Sequence, residues 1–290
     1  MIKLRNFLKE QVVILAVSFA AFTSEPAILN AQTPPDGTHF FTGPLMLSRG
    51  SFQATSPEGL VLEPSYYCDI LVKEWGWSSC DHIDGFAVAT SPGVDSLIIE
   101  KPNSDGYVTF DDWDKSDRDS EIKSIEESLH KSLVAQGQKT GQTITFIAWR
   151  MYPELIRDKH ALVYATDIAW NGDVTTNIKV VLFDRGGYVP MAIVPMESNL
   201  SSLEIRGLVE SVIDSYHANA TTDYTSYVTG DKVAAVGVVG VLAGVLGIKY
   251  GKAAAVGIAA LAAAFAKKFF FLLFLPFLAI GKLFKRKKNS

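Results

Sequence analysis

Between residues 59 and 110 the apolar positions fall in short blocks separated by turn-forming residues, the pattern of strands joined by tight connections. The expected strands are Gly59–Leu62, Asp69–Val72, Phe86–Thr90, Ser96–Glu100 and Tyr107–Phe110. Glu63-Pro64, Ser91-Pro92-Gly93 and Pro102–Gly106 punctuate them. The period then changes. Ile122, Ile125, Leu129 and Leu133 recur at steps of three and four, so one face of a helix is apolar while Lys123 and Glu127 point elsewhere. Ser116 is placed to cap that helix, Asp117, Asp119 and Glu121 complement its dipole, and Gly137 and Gly141 end it.

Alternation returns after the helix. Thr143–Trp149 and Ala161–Trp170 read as strands, with Tyr152-Pro153 between them. Asn171-Gly172, the favoured pair of a two-residue type I′ turn, leads into a partner strand Val174–Phe183. Arg185-Gly186-Gly187 makes the next turn, and Tyr188–Val194 returns. Leu200–Tyr216 reads as a closing helix, with Leu203, Leu208, Val212 and Ile213 as its core side. Strands, helix, antiparallel meander and helix in that order predict an α+β fold.

The two ends of the chain are patterned differently. Lys3, Arg5 and Lys9 precede an apolar run at Val12–Phe22, which reads as a secretory signal with cleavage after Ala31. Gln32–Gly43 is too rich in Pro, Gly and Thr to predict a regular element. From Val233 the chain is apolar almost to its end, interrupted only by basic residues. Val233–Ile248 reaches the length of a membrane crossing if Lys232 and Lys249 carry their ammonium groups to the headgroups. Ala253–Ala266 and Phe269–Gly281 are each too short to cross alone, since a helix rises ~1.5 Å per residue against a ~30 Å core. One crossing is therefore expected, with the remaining apolar run along the inner leaflet and kinked near Pro276; a two-crossing hairpin is the alternative.

Charge sharpens this division. Residues 32–231 hold 29 acidic and 14 basic side chains, a net charge of −15, whereas the stretch from Lys232 onward holds ten basic residues and no acid. So acidic a body excludes nucleic acid as a partner. The basic end favours a cytoplasmic C-terminus, which puts the acidic body outside the membrane. The expected plan is thus a signal peptide over residues 1–31, an extracytoplasmic α+β domain over 32–231, and a membrane anchor over 232–290.

Chemistry-bearing motifs are sparse. Cys68 and Cys80 are spaced for neither metal nor redox chemistry, and in an exported domain they predict a local disulfide. Trp75 and Trp77 lie inside that loop, either as a recognition surface for an envelope protein or glycan, or with one packed on the disulfide. Asp112, Asp114 and Ser116 offer alternating oxygens, but Asp117 and Lys123 stand where a calcium loop needs Gly and Glu. A solvated helix cap explains the same residues. His39, His82, His130, His160 and His217 form no metal-ligand pair. Asp81, His82 and Asp84 could orient an imidazole beside Ser78 or Ser79, although no nucleophile elbow accompanies them and a tight turn explains them too. Asp184-Arg185-Gly186-Gly187 reads as a hairpin turn before a phosphate site. No catalytic, metal or cofactor site is assigned. Gly240 and Gly244 repeat at the spacing that lets two membrane helices pack closely, predicting a homo-oligomer through the anchor; small residues are also simply common in such helices.

Three stretches resemble a known family. Gly106–Trp113 (GYVTFDDW), Ala161–Trp170 with the Asp184–Gly187 turn, and Thr229–Ala235 (TGDKVAA), together with Lys267-Lys268 and the basic end, are similar to the uncharacterised bacterial membrane-anchored family DUF2167, a domain of unknown function. Val236 stands where the family pattern carries an aromatic residue, and Tyr224–Tyr227 matches the aromatic-acidic lead-in loosely. The resemblance implies topology, a domain tethered to the bacterial inner membrane and facing the periplasm, and brings no catalytic residues. The function expected is a non-catalytic binding or envelope-organising module with the lipid bilayer as a partner. The alternative is an envelope hydrolase with its site near residues 78–84.

Overall fold

The computed structural model describes residues 39–74 and 79–248. The expected signal peptide, Trp75 and Trp77, and the chain beyond Ile248 lie outside the described residues. Eleven strands and four α-helices are present among those described. In chain order these are β1 (Phe40–Phe41), β2 (Leu45–Leu47), β3 (Gly50–Phe52), β4 (Leu60–Leu62), α1 (Pro64–Asp69), β5 (Ile83–Val88), β6 (Val94–Glu100), α2 (Arg118–Thr140) and β7 (Ile144–Ile156). There follow β8 (Ala161–Trp170), β9 (Asp173–Asp184), β10 (Gly187–Pro195), α3 (Ser202–Ser215), β11 (Tyr216–Ala218) and α4 (Val238–Val245).

Eight strands form one antiparallel sheet in the order β1-β4-β5-β6-β10-β9-β8-β7. The expected α+β class and the β8–β10 meander are both observed. Asn171 and Gly172 have the positive φ values, 52° and 97°, that a type I′ turn requires. Alternation along each strand divides the core by face. Val163, Val180, Met191 and Ile99 point to one side, where α3 and the small sheet β11-β3-β2 cover them. Tyr164, Val181 and Tyr188 point to the other side, beneath α2 and α4, and Phe86 and Ile98 share that side beneath α1. At the seam between those two clusters lies a buried ion pair, Lys179 Nζ to Glu100 Oε1 at 2.8 Å, with side chains 6% and 2% exposed.

Several expectations are corrected. Asp69–Val72 is not a strand: Pro64 sits at the first helical position, where its missing N–H is not needed, and α1 runs from there into a π-helical turn, Ile70–Glu74. Tyr67, Ile70 and Leu71 are buried at helical spacing. Tyr107–Phe110 is irregular and makes a single parallel bridge, Tyr107 to Val233. Phe40–Phe41 is a strand, although it falls in the Pro- and Gly-rich leader, because Phe40 pairs with Leu62 across the sheet edge. Helix α2 has Asp117 rather than Ser116 at its N-cap, and Gly137 stays inside it. Strand β7 passes straight through Tyr152-Pro153, accommodating them with shifts of register against β8. Leu203 is 79% exposed, whereas Leu208, Val212 and Ile213 are buried as expected. Ser201 and Glu204 close a reciprocal capping box at the start of α3, and the Ser201 hydroxyl holds the Glu204 carboxyl below its ordinary range.

The largest correction concerns Val233–Ile248. No helix among the described residues is long and apolar enough to cross a membrane. The helix in this run, α4, has eight residues, about 12 Å at the α-helical rise. Val238, Val239, Val241, Leu242, Ala243 and Leu246 are each at most 1% exposed and share a core with Ile122, Ile125, Leu129 and Leu133 of α2. The apolar surface that reads as lipid-facing is here covered by protein, so the chain to Ile248 belongs to the body.

Candidate functional site

The start of α4 is organised by a residue far away in sequence. Asp112 accepts the backbone N–H of Val238 at 2.8 Å and of Val239 at 3.0 Å. These are two of the amides a helix cannot satisfy internally. Burial pushes the Asp112 carboxyl above its ordinary value, and the amide hydrogen bonds oppose that rise. Gly237 makes the approach possible, since a Cβ there would stand 2.4 Å from the carboxylate of Asp112. Asp114 pairs with Arg157, and Arg118 lies over the ring of Trp113 at 5.4 Å. The acidic stretch is therefore a helix cap, as expected, but it caps α4 as well as leading into α2. Beside it runs an aromatic stack in which Tyr224 lies against Tyr107, Phe110 and His160 at centroid distances of 4.5, 4.9 and 4.4 Å. The Tyr224 hydroxyl donates to the carbonyl of Val108 at 2.9 Å.

Around this junction three of the stretches that carried the family resemblance come together: the one at Gly106–Trp113, the Asp184–Gly187 turn and the one at Thr229–Ala235. Tyr107 donates its backbone N–H to Lys232 at 2.8 Å, and Ala234 returns one to Tyr107 at the same distance. Gly106 is required here twice over. Its φ of +118° lies outside the range of side-chain-bearing residues, and a Cβ would stand 2.6 Å from the Lys232 carbonyl. Gly106 also donates to Gly186 at 3.0 Å, and Arg185 donates its backbone N–H to Thr222 at 2.9 Å.

These contacts enclose a cleft of about 360 Å³ lined by Arg49, Ser104, Arg185, Thr222, Asp231 and Lys232, among others. Arg49, at the turn between β2 and β3, donates through Nη1 to both oxygens of Asp184 at 2.7 and 2.8 Å, and through Nη2 to the Ser104 hydroxyl at 2.5 Å. Asp184 also accepts the N–H of Gly186 at 2.7 Å, so the hairpin turn fixes its rotamer. Arg185 grips Asp231 with two parallel hydrogen bonds of 2.7 and 2.8 Å. This fork holds the Asp231 carboxyl below its ordinary range and the guanidinium above its own. Lys232 is exposed, and its ammonium donates weakly to the Ser104 carbonyl at 3.4 Å. Among the described ion pairs it has no carboxylate partner.

The other residues singled out in the sequence lie elsewhere. Cys68 and Cys80 form the expected disulfide. Ser79 accepts the N–H of Asp81 at 3.0 Å, and Asp84 accepts the Ser48 N–H and hydroxyl at 2.8 and 2.6 Å. Residues 79–84 thus close a turn and tie the small sheet to β5, and Ser78 lies outside the described residues. Gly240 is buried, and a Cβ there would meet Val236 of the same chain at 2.5 Å; Gly244 has nothing within 4 Å of that position. Gly240 therefore serves packing within the chain. No group of three or more metal-ligating side chains occurs among the described residues. A larger groove of about 640 Å³ runs between α3 and Ser91–Gly93; of its two carboxylates, Glu197 is exposed and Glu204 is committed to the capping box. Arg49, Ser104, Thr221 and Thr222 carried no sequence signal. They reach the cleft from the small sheet, from the turn after β6 and from the loop after β11, and only the fold brings them to the Asp184-Arg185 turn.

Comparison with solved structures finds the solution structure of cyanobacterial PsbP (CyanoP) from Synechocystis sp. PCC 6803, at 13% identity, covering 49% of this chain and 78% of that one with a TM-score of 0.26. So low a score supports no argument about this chain. Comparison with curated proteins finds no match. A family model matches residues 46–278, spanning the cleft, α4 and most of the basic apolar tail, and the chain belongs to that family, described as Protein of unknown function (DUF2167).

Proposed function

We propose that this chain is a non-catalytic binding module, exported and held at the outer face of the bacterial inner membrane by the stretch after Ile248. The observation that carries the binding role is the cleft at Arg49, Arg185 and Lys232, where two guanidinium groups are fixed by carboxylates and an exposed ammonium stands beside them. Of the residues that offered an envelope hydrolase, Ser79 is committed to a turn and Asp84 to Ser48, which supports the binding reading. With Val233–Ile248 occupied in the core, attachment falls to residues 249–290. That stretch has Ala253–Ala266 and Phe269–Gly281 as apolar segments, nine Lys or Arg and no acid. Phe269–Phe284, longer than the apolar segment alone, reaches crossing length if Lys267 and Lys268 snorkel to the outer headgroups and Lys282 to the inner ones, which leaves Lys285–Lys288 in the cytoplasm.

Alkaline extraction and protease treatment of spheroplasts test this reading. The full chain is expected to stay with the membrane pellet, a chain ending at Ile248 to be released, and the body to be digested in intact spheroplasts. Release of the full chain would overturn the tether, and protection of the body would overturn its outward orientation.

A further inference from the structure

We propose that the cleft at Arg49, Arg185 and Lys232 binds the phosphate of an anionic phospholipid headgroup. The proposal rests on the membrane-tethered reading for the source of the ligand, and on the cleft itself for its chemistry.

Charge selects an anion. Three cations, Arg49, Arg185 and Lys232, face two carboxylates, Asp184 and Asp231, and each carboxylate is already held by an arginine. One positive charge is left over, on the exposed Lys232, in a domain whose body is otherwise strongly acidic. The two guanidinium groups are held in place before any ligand arrives, so their ordering costs nothing on binding. Arg185 uses Nε and Nη2 on Asp231, which leaves Nη1 to donate. Ser104 and Thr221 add hydroxyls to the same wall, while Thr222 directs its own to the carbonyls of Arg49 and Asn219. Guanidinium, ammonium and hydroxyl donors converging on one small space match the oxygens of a phosphate.

Size and surroundings select the lipid. At about 360 Å³ the cleft is at the small end of ligand sites, enough for a phosphoglycerol group. Its rim is apolar where the chain leaves it. Val228 and Val233 are 53% and 47% exposed on either side of Asp231 and Lys232. Exposed apolar side chains around a cation suit the headgroup boundary, where the former enter the acyl region and the latter meets phosphate. Only α4 and its short flanks separate Lys232 from Ile248, so the proposed tether keeps the cleft close to the bilayer.

The test uses the full chain in a neutral detergent, with its melting temperature read against added short-chain phosphatidylglycerol, short-chain phosphatidylcholine or glycerol 1-phosphate. Phosphatidylglycerol is expected to raise the melting temperature and phosphatidylcholine to leave it unchanged. Lys232→Gln should weaken the affinity about fivefold, the effect of one cation at a lipid surface, and Lys232→Arg should keep it. Replacing Lys285, Arg286, Lys287 and Lys288 by Gln should leave the shift intact, which separates the cleft from the basic tail. A shift that survives Lys232→Gln but vanishes in the tail variant would overturn the proposal, as would no shift at all. Glycerol 1-phosphate acting as strongly as the lipid would overturn the lipid assignment in favour of a soluble phosphoester. If the chain is instead released by alkaline extraction while the phosphatidylglycerol shift persists, the tether reading fails and the site stands.

Discussion

The carboxylate of Asp112 caps the helix that begins at Val238, 2.8 Å from its amide and 126 residues away in the chain. A cap normally comes from the residue just before its helix. Here that place is held by Gly237, which has no side chain to offer and whose lack of one admits the carboxylate. This single contact joins the acidic stretch before α2 to the apolar run at the end of the body.

Removing the cap should be measurable. Asp112→Ala is expected to lower unfolding stability by about 1–2 kcal/mol, the usual cost of a lost N-cap. Gly237→Ala should cost a similar amount by pushing the carboxylate away, so the double variant should fall well short of the sum. Additive losses in denaturant unfolding would show that the two residues act separately.

The same carboxyl gives a pH signature. Its folded pKa is raised above the ordinary 3.8 by burial, so the folded state holds the proton more tightly than the unfolded chain. Its contribution is therefore greatest below that ordinary value and is lost as pH rises through the raised one. The stability of the parent relative to Asp112→Asn should decline from acid towards neutral pH. A relative stability that climbs over the same interval would reverse the assignment.

Glu100 and Lys179 lie buried at the seam of two core clusters, with the Tyr164 phenol pushed up first by its burial and further by the Glu100 charge. Lys179→Met leaves a carboxylate without its cation in the core, at an expected cost of about 3–5 kcal/mol. Adding Glu100→Gln should restore much of that loss. Equal melting temperatures for the single and double variants would mean that the pair is not coupled.

Reduction of the Cys68–Cys80 disulfide, or replacement of both cysteines by Ser, should lower stability by about 3 kcal/mol, the scale for a loop of this length. Guanidinium titrations of the oxidised and reduced forms would measure it. A difference near zero would assign the bond no role in stability.

A chain ending at Ile248 should fold cooperatively, and a chain ending at Asp231 should not. The second loses Val238, Val239, Val241, Leu242, Val245 and Leu246, whose burial contributes on the order of 10 kcal/mol, as much as a domain's whole stability. A sharp thermal transition in the shorter chain would show that α4 is dispensable to the body.

The sequence by itself determined the elements whose partners lie nearby. Asn171-Gly172 set the β8–β9 hairpin, alternation set which side chains of β8 and β9 meet each face, and a three-four period set the buried face of α2. The two cysteines could be paired from the expectation of export and their even number. Distant partners decided the rest. Hydropathy measures how strongly a segment avoids water, and it cannot say whether lipid or protein replaces the water, so Val233–Ile248 read as a crossing until α2 and the sheet were seen to cover it. Asp69–Val72 read as a strand because four residues are too few to separate the two periods, and the burial of Tyr67, Ile70 and Leu71 under one sheet face chose the helix. Arg49 was an unremarkable cation in the sequence, and Lys232 read only as the flank of a crossing. The β2–β3 turn, the Asp184-Arg185 hairpin and the Gly106 crossing bring them to one cleft, because backbone hydrogen bonds between segments far apart in the chain fix where each one lies.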